Sequence, residues 1–279
     1  MIKHYEGELG VFNYDDEEFE IYGHIHYIGK GKSVDLPKGC INTSYMFYNC
    51  VLPEGFNLGN FDTSKVKYTD GMFAKCVFPE GFSLGDNFDT SNVVNMNGMF
   101  SNCKLPEGFT LGNKFDTSNV KYMNEMFFNC KLPEEFSLGD KFNTSNVENM
   151  NGMFYNCKLP EGFTLGDNFD TSNVVNMGNM FSYCKIPEGF TLGDKFDTSN
   201  VKYMRYMFSC CKLPEGFTLG DKFNISNVID IWYIFSHCAF PEEFTLGDKF
   251  DTIKVKDMRH IFYNCAPKGI TEESLLNNK

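Results

Sequence analysis

The chain has 279 residues, with 25 basic against 37 acidic side chains and a formal net charge of −12. That balance speaks against a nucleic-acid backbone or an anionic membrane as the main partner, since both require a basic face. No stretch approaches the ~20 apolar residues of a membrane span, and the opening MIKHYEGELGVFNYDD holds no apolar run of signal-peptide length, so the chain as written is expected to be soluble and cytoplasmic.

Residues 1–35 read as an N-terminal cap. Val, Phe, Ile and Tyr alternate around the turn-prone segment YDDEE, which predicts a β-hairpin over the first coil. Residues 36–50, LPKGCINTSYMFYNC, form a truncated coil. From Cys50 a Cys returns at 76, 103, 130, 157, 184, 211, 238 and 265, first after 26 residues and then every 27. Residues 51–265 are therefore eight repeats. A fixed period in this range predicts a solenoid, in which each unit buries its apolar face only by stacking on its neighbours.

Within a repeat the periodicity changes. In EGFTLG, Phe109 and Leu111 alternate with Thr110 and Gly112 closes the run, which predicts a short strand. In DTSNVKYMNEMFFNC, steps of three and four set Val120, Met123, Met126, Phe127 and Cys130 on one helical face, with Asp116, Thr117 and Ser118 at the N-cap. The expectation is one short strand and one short helix per coil, an α/β repeat solenoid. Gly98 and Gly152 inside the helical segment allow a turn and a half, partly 3₁₀. Strands stack closer than helices, so the strand side would be concave and the helix side convex. Three Phe ladders, through Phe56, Phe61 and Phe47, would fill the core with Met beside the third. Residues 266–279 read as a C-terminal cap and tail, with Thr271 capping a short amphipathic turn.

The unit FDTSNV…MNEMFFNC, over about residues 36–265, resembles the repeat of the BspA-like leucine-rich-repeat surface proteins, in the branch common in mycoplasma lipoproteins. The resemblance implies a gently curved, leucine-rich-repeat-like fold and an adhesin-like, protein-binding role at the cell surface. Two features depart from that pattern. The linker KLPEGFTLGDK replaces a Leu- and Ser-rich stretch, and no lipoprotein signal is written.

The recurring polar residues read as architecture. Nine cysteines share one coil position. A 27-residue spacing does not converge on a metal, and nine parallel side chains pair poorly as disulfides, so the favoured reading is a ladder of buried thiols in a reducing cell. Cys40 and Cys210 fall outside it, with Cys210 the more exposed. The ladder Asp62, Asp89, Asp116, Asn143, Asp170, Asp197, Asn224, Asp251 could suggest calcium. Asn caps as well as Asp but is a poorer ligand for a hard cation, which favours capping. Glu54 to Glu242 alternate with Lys104 to Lys212 as a screened charge stripe, and the Thr/Ser ladder from Ser83 to Thr245 reflects β-propensity.

No His has an acid, Ser or Cys partner at interpretable spacing; His24 and His26 share one face of a proposed strand, as a surface pair or a weak metal site. No enzyme, no cofactor and no metal site is expected. The informative positions are those that vary. The last coils carry Tyr203, Arg205, Tyr206, Trp232, Tyr233, Arg259 and His260 where earlier coils have Asn, Gly and Glu. Trp, Tyr and Arg are the usual interface anchors. These seven residues, placed on the convex face, are the candidate protein-binding site, weighed against simple packing between neighbouring coils. The expected molecule is a monomeric protein-binding scaffold, adhesin-like by resemblance; the other reading is an intracellular scaffold or inhibitor offering an acidic curved surface to a cytosolic protein.

Overall fold

The computed structural model describes residues 2–7, 10–15, 36, 39–59 and 61–276. Strands β1 (Ile2–Gly7) and β2 (Gly10–Asp15) form an antiparallel hairpin closed between Gly7 and Gly10. This lies one turn earlier than the YDDEE turn read from the sequence. The second arm of that predicted hairpin falls outside the described residues, as do His24 and His26. The only helix among the described residues is α1 (Glu272–Leu276), whose Thr271 Oγ1 accepts from the Ser274 N–H at 3.1 Å.

Between Asn42 and Asp257 the chain advances as stacked coils joined by two rows of parallel bridges. One row runs Asn42, Tyr68, Asn95, Tyr122, Asn149, Asn176, Tyr203, Asp230, Asp257; the other runs Val51, Val77, Lys104 and onward to Ala239. One row passes through the segment read as a helix, at Tyr122 in residues 116–130, and the other follows it, at Lys131; this segment is here called the turn face. The segment is not helical, and the backbone shows why. Each coil puts two residues, four apart, in the left-handed region: Gly98 and Asn102, Glu125 and Asn129, Tyr233 and His237. A left-handed residue ends α-helix propagation. Between these points the chain makes tight turns, such as Met126 N–H to Met123 C=O and Cys130 N–H to Phe127 C=O. A three-residue turn repeat puts the same apolar residues inside as a 3.6-residue helix would.

The turns leave alternate N–H groups free to bond the next coil. Thr43, Tyr45, Phe47 and Asn49 donate to the carbonyls of Tyr68, Asp70, Met72 and Ala74. The same four chains of bonds climb coil after coil. At Phe47 the chain runs through Phe73, Phe100, Phe127, Phe154, Phe181, Phe208 and Phe235 to Ile261 C=O.

The predicted strand, residues 109–112 in one coil, alternates as expected: Phe109 and Leu111 are buried and Thr110 is exposed. It makes no backbone bond to neighbouring coils among the described residues. Its spacing forbids one. Equivalent Phe rings on this loop face stack 6.2–6.5 Å apart, while paired strands need about 4.8 Å. On the turn face the Phe47 ladder stacks at 5.2–6.0 Å. The sequence reading counted on a helix's width for this segment; hydrogen-bonded turns need about half of it.

The D-T-S-N-V motif is a joint between coils. Asp116 Oδ1 accepts from the Ser118 N–H at 2.9 Å, an Asx turn in its own coil, and Asn143 and Asn224 do the same at 2.9 and 2.8 Å. Buried Thr117 donates its hydroxyl to Asn143 C=O in the next coil at 2.8 Å, while Asn119 reaches back to Ser91 C=O at 2.7 Å. Val120 is fully buried. Asp caps here as read, although what it caps is a turn.

Candidate functional site

Arginine occurs twice in the chain and tryptophan once, and all three fall on one rung position of successive coils: Arg205, Trp232 and Arg259. Both guanidinium carbons lie 5.7 Å from the indole centroid. Arg205 Nε donates to Asp230 Oδ2, an acid of the next coil. Arg259 folds back on Asp257 of its own coil, with Nε to Oδ1 at 2.9 Å and Nη2 to Oδ2 at 2.7 Å. That bidentate pair holds the Asp257 carboxyl down at about 2 and raises Arg259.

The following residue in each of these coils carries a ring. Tyr206 and Tyr233 stack at 5.2 Å and 7°, and His260 lies 4.9 Å from Tyr233. Trp232 meets Tyr206 at 5.5 Å and Tyr233 at 5.0 Å. Burial, and then the neighbouring Tyr233, raises the Tyr206 phenol. Tyr206, Tyr233 and His260 all have φ between 55° and 60°. Other coils put Gly71, Gly98 and Gly152 at this left-handed position, where glycine carries no steric cost. A tyrosine there costs on the order of 1 kcal/mol, a cost that Tyr45 and Glu125 also carry at the same position of earlier coils.

Six of the seven residues singled out from the sequence are thus brought together. Tyr203 is joined through its backbone bridge to Asp230, and its ring stands 42% exposed. Four members went unnoticed in the sequence: Asp230, Asp257, His237 and Tyr263. The 27-residue register could have found the two acids, since both sit on the bridge row that carries Asn or Tyr elsewhere. His237 and Tyr263 pack edge to face at 5.3 Å. Trp232 is half-buried, and its Nε1–H is enclosed without a hydrogen-bond partner among the described residues.

The other ladders hold the coils together. From Cys76 onward each ladder thiol donates to a Phe carbonyl of the preceding coil, as Cys130 does to Phe100 at 2.9 Å and Cys157 to Phe127 at 2.8 Å. All eleven cysteines are free, and Cys210 and Cys265 are the two that are not fully buried. Burial pushes the Cys40 thiol up to about 12 and raises Cys130, Cys184 and Cys211 well above the ordinary thiol range. The Glu54–Glu242 stripe makes one ion pair among the described residues, Lys268 to Glu242 at 3.1 Å. Open grooves of about 390 to 530 Å³ recur between adjacent coils of the loop face, lined by the same Thr/Ser, Leu, Gly, Asp/Asn and Phe positions each time. No group of three or more His, Cys, Asp or Glu is disposed to hold a metal ion, and no helix is long and apolar enough to cross a membrane, among the described residues.

A family model described as "Mycoplasma protein of unknown function, DUF285" matches four overlapping stretches, residues 41–159, 82–187, 134–245 and 188–268. No curated protein and no solved structure matches the chain. The four stretches run across the stacked coils and take in the whole Arg–Trp–Arg cluster, and the chain belongs to the DUF285 family.

Proposed function

We propose that this repeat protein is a non-enzymatic protein-binding scaffold, leucine-rich-repeat-like in architecture, whose contact surface is the Arg205–Trp232–Arg259 cluster with its Tyr206–Tyr233–His260 row. The observation that carries the reading is the convergence of both arginines and the only tryptophan beside rings held at a strained backbone position. Earlier coils stack through the same bonds with Gly71, Gly98, Gly152 and Asn179, and also Tyr45 and Glu125, at the ring position, so it is the Arg–Trp–Arg convergence that sets this site apart from them. Arg205 and Arg259 are already paired to acids, so the patch is close to neutral. It suits an aromatic-anchored protein contact better than charge steering.

The resemblance to BspA-like surface proteins supports an adhesin-like role at the cell surface. A second reading has an observation of its own. The ladder of buried thiols suits a reducing interior, where the chain would act as a scaffold for a cytosolic protein.

Protease shaving of intact cells separates the two locations: loss of the chain before lysis supports the surface reading, and survival until lysis removes it. For the site, the chain displayed on beads is compared with a Trp232→Ala/Tyr233→Gly variant for retention of proteins from intact-cell surfaces and from cytosol. The expected result is a wild-type-specific protein lost with the variant, at unfolding free energies within about 1 kcal/mol of each other. Equal retention by both forms rejects the site, and a collapse in stability shows that these rings are core.

A further inference from the structure

The charge of the chain is divided between its two faces. The eight loop segments, residues 51–62, 77–89 and their equivalents up to 239–251, carry 22 acidic and 10 basic side chains, a surplus equal to the net charge of the whole chain. The eight turn segments between and after them, from 63–76 to 252–265, carry five acidic and nine basic ones. The loop face is therefore strongly anionic and the turn face weakly cationic.

Much of this negative charge is uncompensated. Asp140, Asp167, Asp194, Asp221 and Asp248 hold the same place in five successive coils; all are exposed, and none makes an ion pair among the described residues. They line the grooves between coils. Asp194 and Asp221 share one groove with Lys222, and Asp167 and Asp194 share the next with Lys195. Thr191 lines both grooves, and its carbonyl and that of Leu192 accept no hydrogen bond among the described residues. Carboxylates, hydroxyls and unused carbonyls are acceptors, the complement of a Lys or Arg side chain, which only donates.

The coil repeat says how such side chains would be strung together. Phe136, Phe163 and Phe190 stack 6.4 Å apart on this face. An extended polypeptide rises about 3.2–3.4 Å per residue, so every second side chain returns to the same side after about 6.4–6.8 Å. One coil thus matches two residues. The turn face, where Phe127, Phe154 and Phe181 stack 5.7 Å apart, does not keep that register.

We propose that the loop face binds an extended basic segment of another protein, laid along the stack at two residues per coil, with Lys or Arg at alternate positions reaching the acceptors of successive grooves. The five coils from Asp140 to Asp248 take about nine residues. Opposite charge steers the encounter and fixes the register, and salt weakens it by screening. The surface is separate from the Arg205–Trp232–Arg259 cluster, which lies on the turn face.

Fluorescence anisotropy on the full chain compares two labelled nonapeptides of one composition, five Lys and four Ser, one strictly alternating and one with its lysines in a block. At low salt the alternating peptide should bind at least about fivefold tighter than the block peptide, and added salt should weaken both. Asp167→Asn, Asp194→Asn and Asp221→Asn together should weaken the alternating peptide at least about tenfold. The urea midpoint should not change, since these carboxylates are exposed and make no ion pair. No binding, equal binding of the two peptides, or indifference to the triple change overturns the proposal. Trp232→Ala/Tyr233→Gly should leave peptide binding unchanged, so the two surfaces can fail separately; loss of binding in that variant would put the peptide on the turn face and also overturn the proposal.

Discussion

The two faces of one coil are both built on Phe ladders, one on the turn face and two on the loop face, yet they hold together differently. On the turn face, rings 5.2–6.0 Å apart are backed by four hydrogen bonds to the next coil. On the loop face, rings at 6.2–6.5 Å are backed by no coil-to-coil bond in the TLG segment. Burial alone does not distinguish them, since Phe154 is 0% and Phe163 3% exposed. What differs is whether the backbone can follow when a side chain is removed. A bonded face fixes its spacing; an unbonded one is free to close up.

The largest expected effect follows from that difference. Phe154→Ala should lower stability by about 3–5 kcal/mol, because the bonded turn face cannot collapse into the hole. Phe163→Ala should cost less, as the loop face relaxes. Urea unfolding of both variants decides it, and equal losses would mean that the hydrogen bonds add no stiffness.

Next in size is the response of the thiols, which sit on the stiff face. Free thiols ionise near 8.5, whereas burial holds Cys40 at about 12 and raises Cys130, Cys184 and Cys211 well above that range. Above pH about 8.5 the folded chain therefore binds more protons than the unfolded one, and stability falls as pH rises toward the folded values. Below that pH this contribution is fully present. Alkylation at pH 8 should modify Cys210 first and leave Cys130, Cys157 and Cys184 untouched until unfolding. Rapid labelling of those three in the native chain would show that the turn face opens readily.

The smallest effect is local. Asp257, clamped by Arg259, should titrate at about 2 by NMR, and Arg259→Ala should return it toward the ordinary carboxylate range near 3.9. The stabilisation tied to this group is present above that ordinary range and fades as pH falls toward 2. No change on removing Arg259 would remove the clamp from the description of the cluster.

Much of this was legible in the sequence. The period, the three ring ladders, the Asx role of Asp116 and Asn143, and the buried thiols all depend on which residue recurs where. The backbone of the turn face was not legible from apolar spacing, since Val120, Met123, Met126, Phe127 and Cys130 suit tight turns and a helix alike. Gly98, Gly152 and the Asn before many of the ladder cysteines carried the missing signal, because Gly and Asn are the residues that tolerate positive φ. The strand was misplaced for another reason. Alternation at Phe109 and Leu111 reports which side chains are buried, whereas pairing depends on coil spacing, which only the assembled stack defines. Of the cluster, the aromatic and Arg members stood out by contrast with other coils. Asp230 and Asp257 did not, since an acid on an acidic protein attracts no notice until its partner is placed.

The climbing hydrogen bonds have one more consequence. The peptide unit ending at Phe47 N–H points toward the next coil, as do those at Phe73, Phe100 and every equivalent up to Phe262. Their dipoles add along the stack as they do along a helix axis, in four parallel columns, against two columns that run the other way through Lys121 N–H to Val94 C=O and Lys131 N–H to Cys103 C=O. The molecule therefore carries a fixed electrical polarity unrelated to its −12 net charge: partial positive charge gathers at the last coil and partial negative charge at the first. The carboxylate of Glu272, seated on the Phe262 N–H, is an anion at the positive pole.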